Sequence, residues 1–195
     1  MQIWSPESRL LEAKMTQRYE IRLSGSGGQG LILAGIILAR AAVLDDHKVT
    51  QTQSYGPESR GGYSRADVII SDREIYFPEA TNFNCLLALT QEACDKYLFD
   101  LRDTGTLIID TTYVKNLALA ADNTYELPFT EIAQNDLGSA ITTNVLSLAF
   151  LVKVTDIVSD KSLEASIARS VKPAFIDLNL KAMRLGFKLA ESYRN

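Results

Sequence analysis

Tyr19-Glu20-Ile21-Arg22-Leu23-Ser24 alternates, Gly25-Ser26-Gly27-Gly28-Gln29-Gly30 interrupts the alternation, and Leu31 to Ala42 continues as a run of small apolar residues. The alternation predicts a strand and the apolar run a buried helix. Four glycines in six positions carry a cost in backbone entropy. A chain tolerates that cost where it must turn tightly or bring its backbone close to another surface. Strand, glycine turn and helix start together make one half of a Rossmann-like unit, and the free N–H groups of such a turn can receive an anion. Gly25, Gly27, Gly28, Gln29 and Gly30 are therefore candidate binding residues.

Working outward, strand-like and helix-like segments alternate to the end of the chain. Lys48 to Gln53 predicts a second strand, and Ala66 to Ser71 a third. Asp72-Arg73 reads as a tight turn into Glu74-Ile75-Tyr76-Phe77, which would pair with the third strand as an antiparallel edge hairpin ended by Pro78. Cys85 to Leu89 reads as a buried strand, followed by a helix over Gln91 to Leu101. Asp103-Thr104-Gly105 turns into the apolar strand Thr106 to Asp110, of the kind found inside parallel sheets. Tyr125 to Pro128 reads as an edge strand and Phe129 to Gln134 as a short helix. Helices are predicted over Ile141 to Val152, Ser162 to Val171 and Phe175 to Ser192. The pattern is that of an α/β protein: a single Rossmann-like three-layer domain over residues 19–195, its sheet mostly parallel. Residues 1–18 form an N-terminal extension, with Leu10, Leu11 and Met15 as a small apolar stripe; Met15 is also a conceivable start of translation.

The 195 residues are 46% hydrophobic, enough for one domain with a real core. Twenty basic against 24 acidic residues give a net charge of −4, with no basic stripe of the kind that binds nucleic acid. The first eighteen residues carry no secretory apolar core, and no apolar run reaches the ~20 residues of a membrane span. Cys85 and Cys94 lack the paired spacing of zinc or iron–sulfur ligands, which fits a buried strand thiol, a helix thiol and a reducing cytoplasm. His47 lies among Asp45, Asp46 and Lys48 and reads as a solvated side chain. No catalytic residue and no metal site are predicted.

One further segment breaks all periodicity: Ser54-Tyr55-Gly56-Pro57-Glu58-Ser59-Arg60-Gly61-Gly62-Tyr63-Ser64-Arg65. Proline, glycines and hydroxyl side chains mark a loop with special backbone angles. Like the glycine turn it follows a strand, so both should emerge at the carboxyl ends of an open parallel sheet and form one surface. Arg60 and Arg65 offer planar forks for a carboxylate or phosphate; Tyr55 and Tyr63 offer flat amphipathic area. Three readings stand side by side: a docking face for a partner, built from Tyr55, Gly56, Pro57, Glu58, Arg60, Gly61 and Gly62; a small-molecule phosphate site; or a plain ordered loop. The glycine turn is not a P-loop, because Leu31 and Ile32 stand where Lys and Ser/Thr are required. A dinucleotide site lacks its acid, since the second strand ends at Thr50 to Gln53 without one.

Taken together, Gly25–Gly30, Ala34-Gly35 with Leu38-Ala39, and Tyr55-Gly56-Pro57-Glu58-Ser59-Arg60-Gly61-Gly62 resemble the gamma subunit of 2-oxoacid:ferredoxin oxidoreductases. Asp67-Val68-Ile69-Ile70-Ser71, Ile75, Pro78, Leu89-Thr90-Gln91-Glu92-Ala93 and Lys96-Tyr97 extend the likeness, which weakens after Asp110. The resemblance implies a non-autonomous, cytoplasmic oxidoreductase subunit working with alpha and beta subunits and a ferredoxin-like delta subunit. Thiamine diphosphate, magnesium and 4Fe-4S clusters would sit in those partners, ferredoxin would accept the electrons, and the acyl group would pass to coenzyme A. No cofactor would be held tightly by this chain; the glycine turn and Arg60 would contact either coenzyme A or a partner subunit. It points to 2-oxoglutarate as substrate, with pyruvate, indolepyruvate and branched 2-oxoacids as alternatives. A stand-alone nucleotide-binding domain and a purely architectural subunit remain the competing classes.

Overall fold

In the computed structural model, residues 18–55, 63–119, 121 and 123–193 are described. The expected apolar stripe of the N-terminal extension and the Gly56–Gly62 segment with Arg60 lie outside them. Six strands, β1 (Tyr19–Ser26), β2 (Lys48–Tyr55), β3 (Tyr63–Ser71), β4 (Phe83–Ala88), β5 (Leu101–Asp110) and β6 (Asn123–Leu127), form one sheet. Its order is β2-β3-β1-β4-β5-β6. β1, β4, β5 and β6 run parallel, while β3 lies antiparallel to both β1 and β2. Five strands thus point one way and β3 alone runs back, so the α/β class and mostly parallel sheet are as expected.

Helices cover the two faces unequally. On one side lie α1 (Leu31–Leu44), α3 (Phe129–Leu137), α4 (Thr143–Thr155), α5 (Asp160–Ser170) and α6 (Ile176–Glu191), enclosing a large core with Ile21, Leu23, Leu87 and Ile108. On the other lies α2 (Gln91–Tyr97), over a smaller core with Phe83, Leu86, Leu107 and Ile109. α4 is buried on every side from Thr143 to Val152, a stretch dominated by apolar residues. Phe150 meets Tyr125 and Phe129 edge-on, at 5.5 and 5.4 Å between ring centroids. α6 approaches α4 closely through Gly186, where a Cβ would lie 2.9 Å from Ala149 Cβ.

Three expectations need correction. Glu74–Phe77 is not a strand, and β3 has no free side to offer it, because β1 and β2 already occupy both. Tyr76 is instead 92% exposed, and the Arg18 guanidinium holds the Phe77 and Glu79 carbonyls. The hairpin that mixes the sheet is β2–β3, whose strands reach Tyr55 and Tyr63, so the irregular segment is shorter than Ser54–Arg65. Asp103-Thr104-Gly105 lies inside β5, where pairing jumps from Phe83↔Leu101 to Cys85↔Thr106; the turn signal there marks a bulge.

Candidate functional site

The carboxyl ends of β1 and β4 lie side by side, and the chain leaves them toward opposite faces: β1 into α1, β4 into α2. That divergence is the topological switch point at which open α/β sheets bind ligands, and the glycine turn occupies it. Gly27 and Gly28 are exposed at its tip. Gly28 and Gly30 take φ values of 94° and 73°, in the left-handed region that side chains avoid. Gln29 folds back, its Oε1 accepting the Ser26 N–H at 2.7 Å and its N–H donating to the Ser26 carbonyl at 3.3 Å, so two amides of the turn are already satisfied internally. Gly30 precedes α1 without a side-chain cap or an acidic residue in the first turn. The first amides of that helix thus have no side-chain cap, at the positive end of its dipole.

Asn144, at the start of α4, braces the turn from behind by donating from Nδ2 to the Gly30 carbonyl at 3.1 Å. A Cβ at Gly30 would sit 2.5 Å from that same nitrogen. Both the backbone angle and the space demand glycine.

The hairpin stem reaches the same end of the sheet. Ser26 pairs with Tyr63, Gly25 with Ser64, and Ser64 with Tyr55 on its other side. The stems of the two glycine-bearing segments are thus neighbours, as expected for one surface. From α2, Lys96 Nζ lies 3.5 Å from the centroid of the Tyr63 ring; its contact with the Tyr63 hydroxyl raises the ammonium above its ordinary pKa. Arg65 stays partly exposed, its Nε 3.9 Å from Asp67 Oδ2.

Beneath Arg65 lies an ion pair that the sequence reading missed. Arg22 donates from Nε and Nη2 to both Asp67 oxygens at 2.7 Å, with both side chains buried. Its guanidinium also stacks near Phe83 and Tyr97, 4.0 and 4.4 Å from their centroids. No local pattern marks them: Arg22 and Asp67 face each other only through the antiparallel register of β1 and β3. His47 is also corrected, since its side chain is 11% exposed and its Nδ1 lies 2.8 Å from Asp72 Oδ1. Asp110, closing β5, is fully buried and accepts from Thr112 N, Thr130 N and Thr130 Oγ1, so it anchors the start of α3. Among the described residues no three His, Cys, Asp or Glu side chains gather to hold a metal.

The profile of the pyruvate ferredoxin/flavodoxin oxidoreductases matches residues 20–189. The chain belongs to that family. The 2-oxoglutarate synthase subunit KorC of Methanocaldococcus jannaschii is 44% identical over 181 residues, covering 91% of this chain and 97% of the relative. KorC of Methanothermobacter marburgensis is 40% identical over 88% of this chain and 96% of its own length. Among solved structures, the gamma subunit of a keto/oxoacid ferredoxin oxidoreductase from Geobacter sulfurreducens superposes with a TM-score of 0.83 at 44% identity, covering 91% of this chain and 98% of that one. The expected gamma-subunit likeness therefore holds over nearly the whole chain, and the relatives are subunits of oxidoreductase complexes. At one end of the sheet the braced glycine turn lies beside the Tyr63–Lys96 stem, with the Lys96 ammonium resting on Tyr63 and the partly exposed Arg65 beside Asp67.

Proposed function

We propose that this chain is the gamma subunit of a cytoplasmic 2-oxoglutarate:ferredoxin oxidoreductase and that its glycine-turn end completes the coenzyme A side of the active site. The observation that carries the substrate is the 44% and 40% identity, over nearly full length, to 2-oxoglutarate synthase subunits. A pyruvate synthase subunit of Methanocaldococcus jannaschii stands at 30%. The chemistry belongs to partners. Thiamine diphosphate, when bound in the alpha–beta pair with magnesium, supplies the carbanion chemistry of oxidative decarboxylation. Two cysteines in the whole sequence fall short of the four thiolates of a 4Fe-4S cluster, so the clusters that reduce ferredoxin reside in a ferredoxin-like delta subunit or other partners. Two free, buried thiols suit a reducing compartment.

This chain's own part is to bind and orient. The exposed Gly27 and Gly28 let an anionic group reach the backbone, and the α1 amides and dipole favour its negative charge. Arg60, on the segment between Tyr55 and Tyr63, supplies a second contact to the same anion, and Tyr55 to Gly62 dock against the partner. The test is co-expression with alpha, beta and delta subunits and assay of coenzyme A-dependent dye reduction. The complete set is expected to turn over 2-oxoglutarate with a kcat/KM at least an order of magnitude above that for pyruvate, and the chain alone to be inactive. Arg60→Ala should raise the KM for coenzyme A several-fold and leave that for 2-oxoglutarate unchanged. Equal efficiency with pyruvate would remove the substrate assignment; an unchanged KM for coenzyme A would remove the role of Arg60.

A further inference from the structure

The segment after β3 is tied down, yet it holds two aromatic rings out to solvent. Ile75 packs against the smaller core. The Arg18 guanidinium holds the Phe77 and Glu79 carbonyls, and Glu20 Oε2 accepts the Thr81 and Asn82 N–H groups at 2.8 and 3.3 Å. On that fixed support Tyr76 is 92% and Phe77 54% exposed. Aromatic rings carry a large apolar area, and a ring on an ordered support loses little further freedom when a partner covers it.

The two rings border a cleft of about 530 Å³, lined also by Arg18, Arg73, Ile75 and Arg102. It lies where β1 and β5 begin and antiparallel β3 ends, at the opposite end of the sheet from the glycine turn. Arg18 is engaged by Glu20, its Nε 2.7 Å from Oε1. Arg73 is exposed; Arg102 is half-buried and donates from Nε to the Asn82 carbonyl at 2.9 Å. Among the described residues no carboxylate lies within 4 Å of either guanidinium. Glu74, the one acid among the described lining residues, faces Lys48 Nζ at 3.2 Å. In a chain of net charge −4, this cleft holds two guanidinium charges that no carboxylate answers.

We propose that this cleft docks an acidic segment of another subunit of the oxidoreductase complex. Its carboxylates pair with Arg73 and Arg102, and its chain covers Tyr76 and Phe77. Arginine forks match carboxylates with two parallel bonds, and Tyr, Phe and Arg are the residue types that concentrate in interfaces. A second copy of this chain fits poorly, because a two-fold contact sets the patch against itself, arginine toward arginine. An extended polyanion fits poorly too, since it would meet Asp72, Glu74 and Glu79, all exposed on the same segment. The cleft is remote from the glycine turn, so this contact stands or falls independently of the coenzyme A reading.

The experiment uses the full-length chain assembled with its co-expressed partner subunits. With p-benzoylphenylalanine in place of Tyr76, irradiation should link this chain to one partner subunit, through a peptide rich in Asp and Glu. Titrated against the remaining subunits, Tyr76→Ala and Arg73→Glu should each bind about tenfold more weakly or worse. Both side chains are exposed, so the urea midpoint of the chain alone should not move. The Arg73→Glu loss should shrink between about 0.05 and 0.5 M salt, where exposed charges become screened; the Tyr76→Ala loss should persist. No cross-link, or one only to residues 1–17 of this chain, to a second copy, or to a peptide without acidic excess, would overturn the proposal. Full binding affinity in either variant would do the same.

Discussion

Gly30 concentrates two demands in one residue. Its φ of 73° costs an L-residue about 1–2 kcal/mol, and Asn144 Nδ2 occupies the space a Cβ would need. Gly28 has the first demand without the second, since nothing lies within 4 Å of its Cβ position. Gly30→Ala should therefore lower unfolding free energy by about 2–3 kcal/mol, and Gly28→Ala by about 1 kcal/mol, in urea titrations; equal losses would mean that Asn144 gives way freely. The Arg22–Asp67 pair makes a second residue-scale case. Removing one member leaves a buried charge with only a distant partner, Arg65 3.9 Å from Asp67 or Asp100 3.9 Å from Arg22, so Arg22→Met or Asp67→Leu should each cost about 3 kcal/mol, while the double variant recovers most of that loss. Additive losses in that cycle would contradict the pairing. The thiols are predictable too: burial, with Asp95 adding to it, pushes Cys94 up to about 11, and burial alone raises Cys85. Neither should react with Ellman's reagent at pH 8 until the chain unfolds. The glycines and the buried strand thiol were legible because each answers to local rules. Arg22 and Asp67 were not, because their partnership exists only once β1 and β3 are set in antiparallel register.

At the scale of elements, the start of α5 is tied to the end of α1. Ser159 caps α5, its Oγ accepting from the Ser162 N–H at 3.2 Å. Asp45, just past α1, accepts from the Ser159 N–H, the Ser159 hydroxyl and the Ser162 hydroxyl at 2.6, 2.8 and 2.6 Å. Partial burial alone would raise the Asp45 carboxyl, but these bonds, with His47 nearby, outweigh it and hold its pKa below the usual carboxylate value. A carboxyl depressed in the folded state adds stability above its unfolded value of about 3.9, and that stability drains away as pH falls through the lower folded value. Stability should thus drop more steeply with acidification below about pH 4 in the native protein than in Asp45→Asn, read from urea midpoints at each pH. Ser159→Ala should cost about 1 kcal/mol at neutral pH. Helices were the more legible elements, because a core-facing stripe is a local pattern; α1 and α4–α6 lie where apolar spacing puts them. Strand partners were less so. Glu74–Phe77 is rich in β-forming residues, yet a strand needs a free edge, and β3 has both sides taken.

At the scale of the molecule, the carboxyl ends of five strands lie at the end of the sheet that carries the glycine turn, while the apolar faces of the sheet are turned to α1–α6. Strand–turn–helix succession made that end legible in sequence, because it fixes which loops emerge there. The chain's dependence on partners came only from the resemblance, since no local pattern reports an absent surface. Lys96 separates folding from assembly at this end. It is exposed, its ammonium rests on the Tyr63 ring, and an exposed cation–π contact is worth about 0.5–1 kcal/mol. Lys96→Ala should therefore shift stability by no more than that. If the hairpin stem presents the docking face, however, the same variant frees Tyr63 and removes a charge beside the partner. Its affinity for the alpha–beta pair should then fall by more than its stability loss explains, and more steeply at low salt, where charge contributes most. Titration calorimetry of the variant against the alpha–beta pair at two ionic strengths measures both. An affinity loss no larger than the stability loss, with no salt dependence, would place the docking face away from the glycine-turn end.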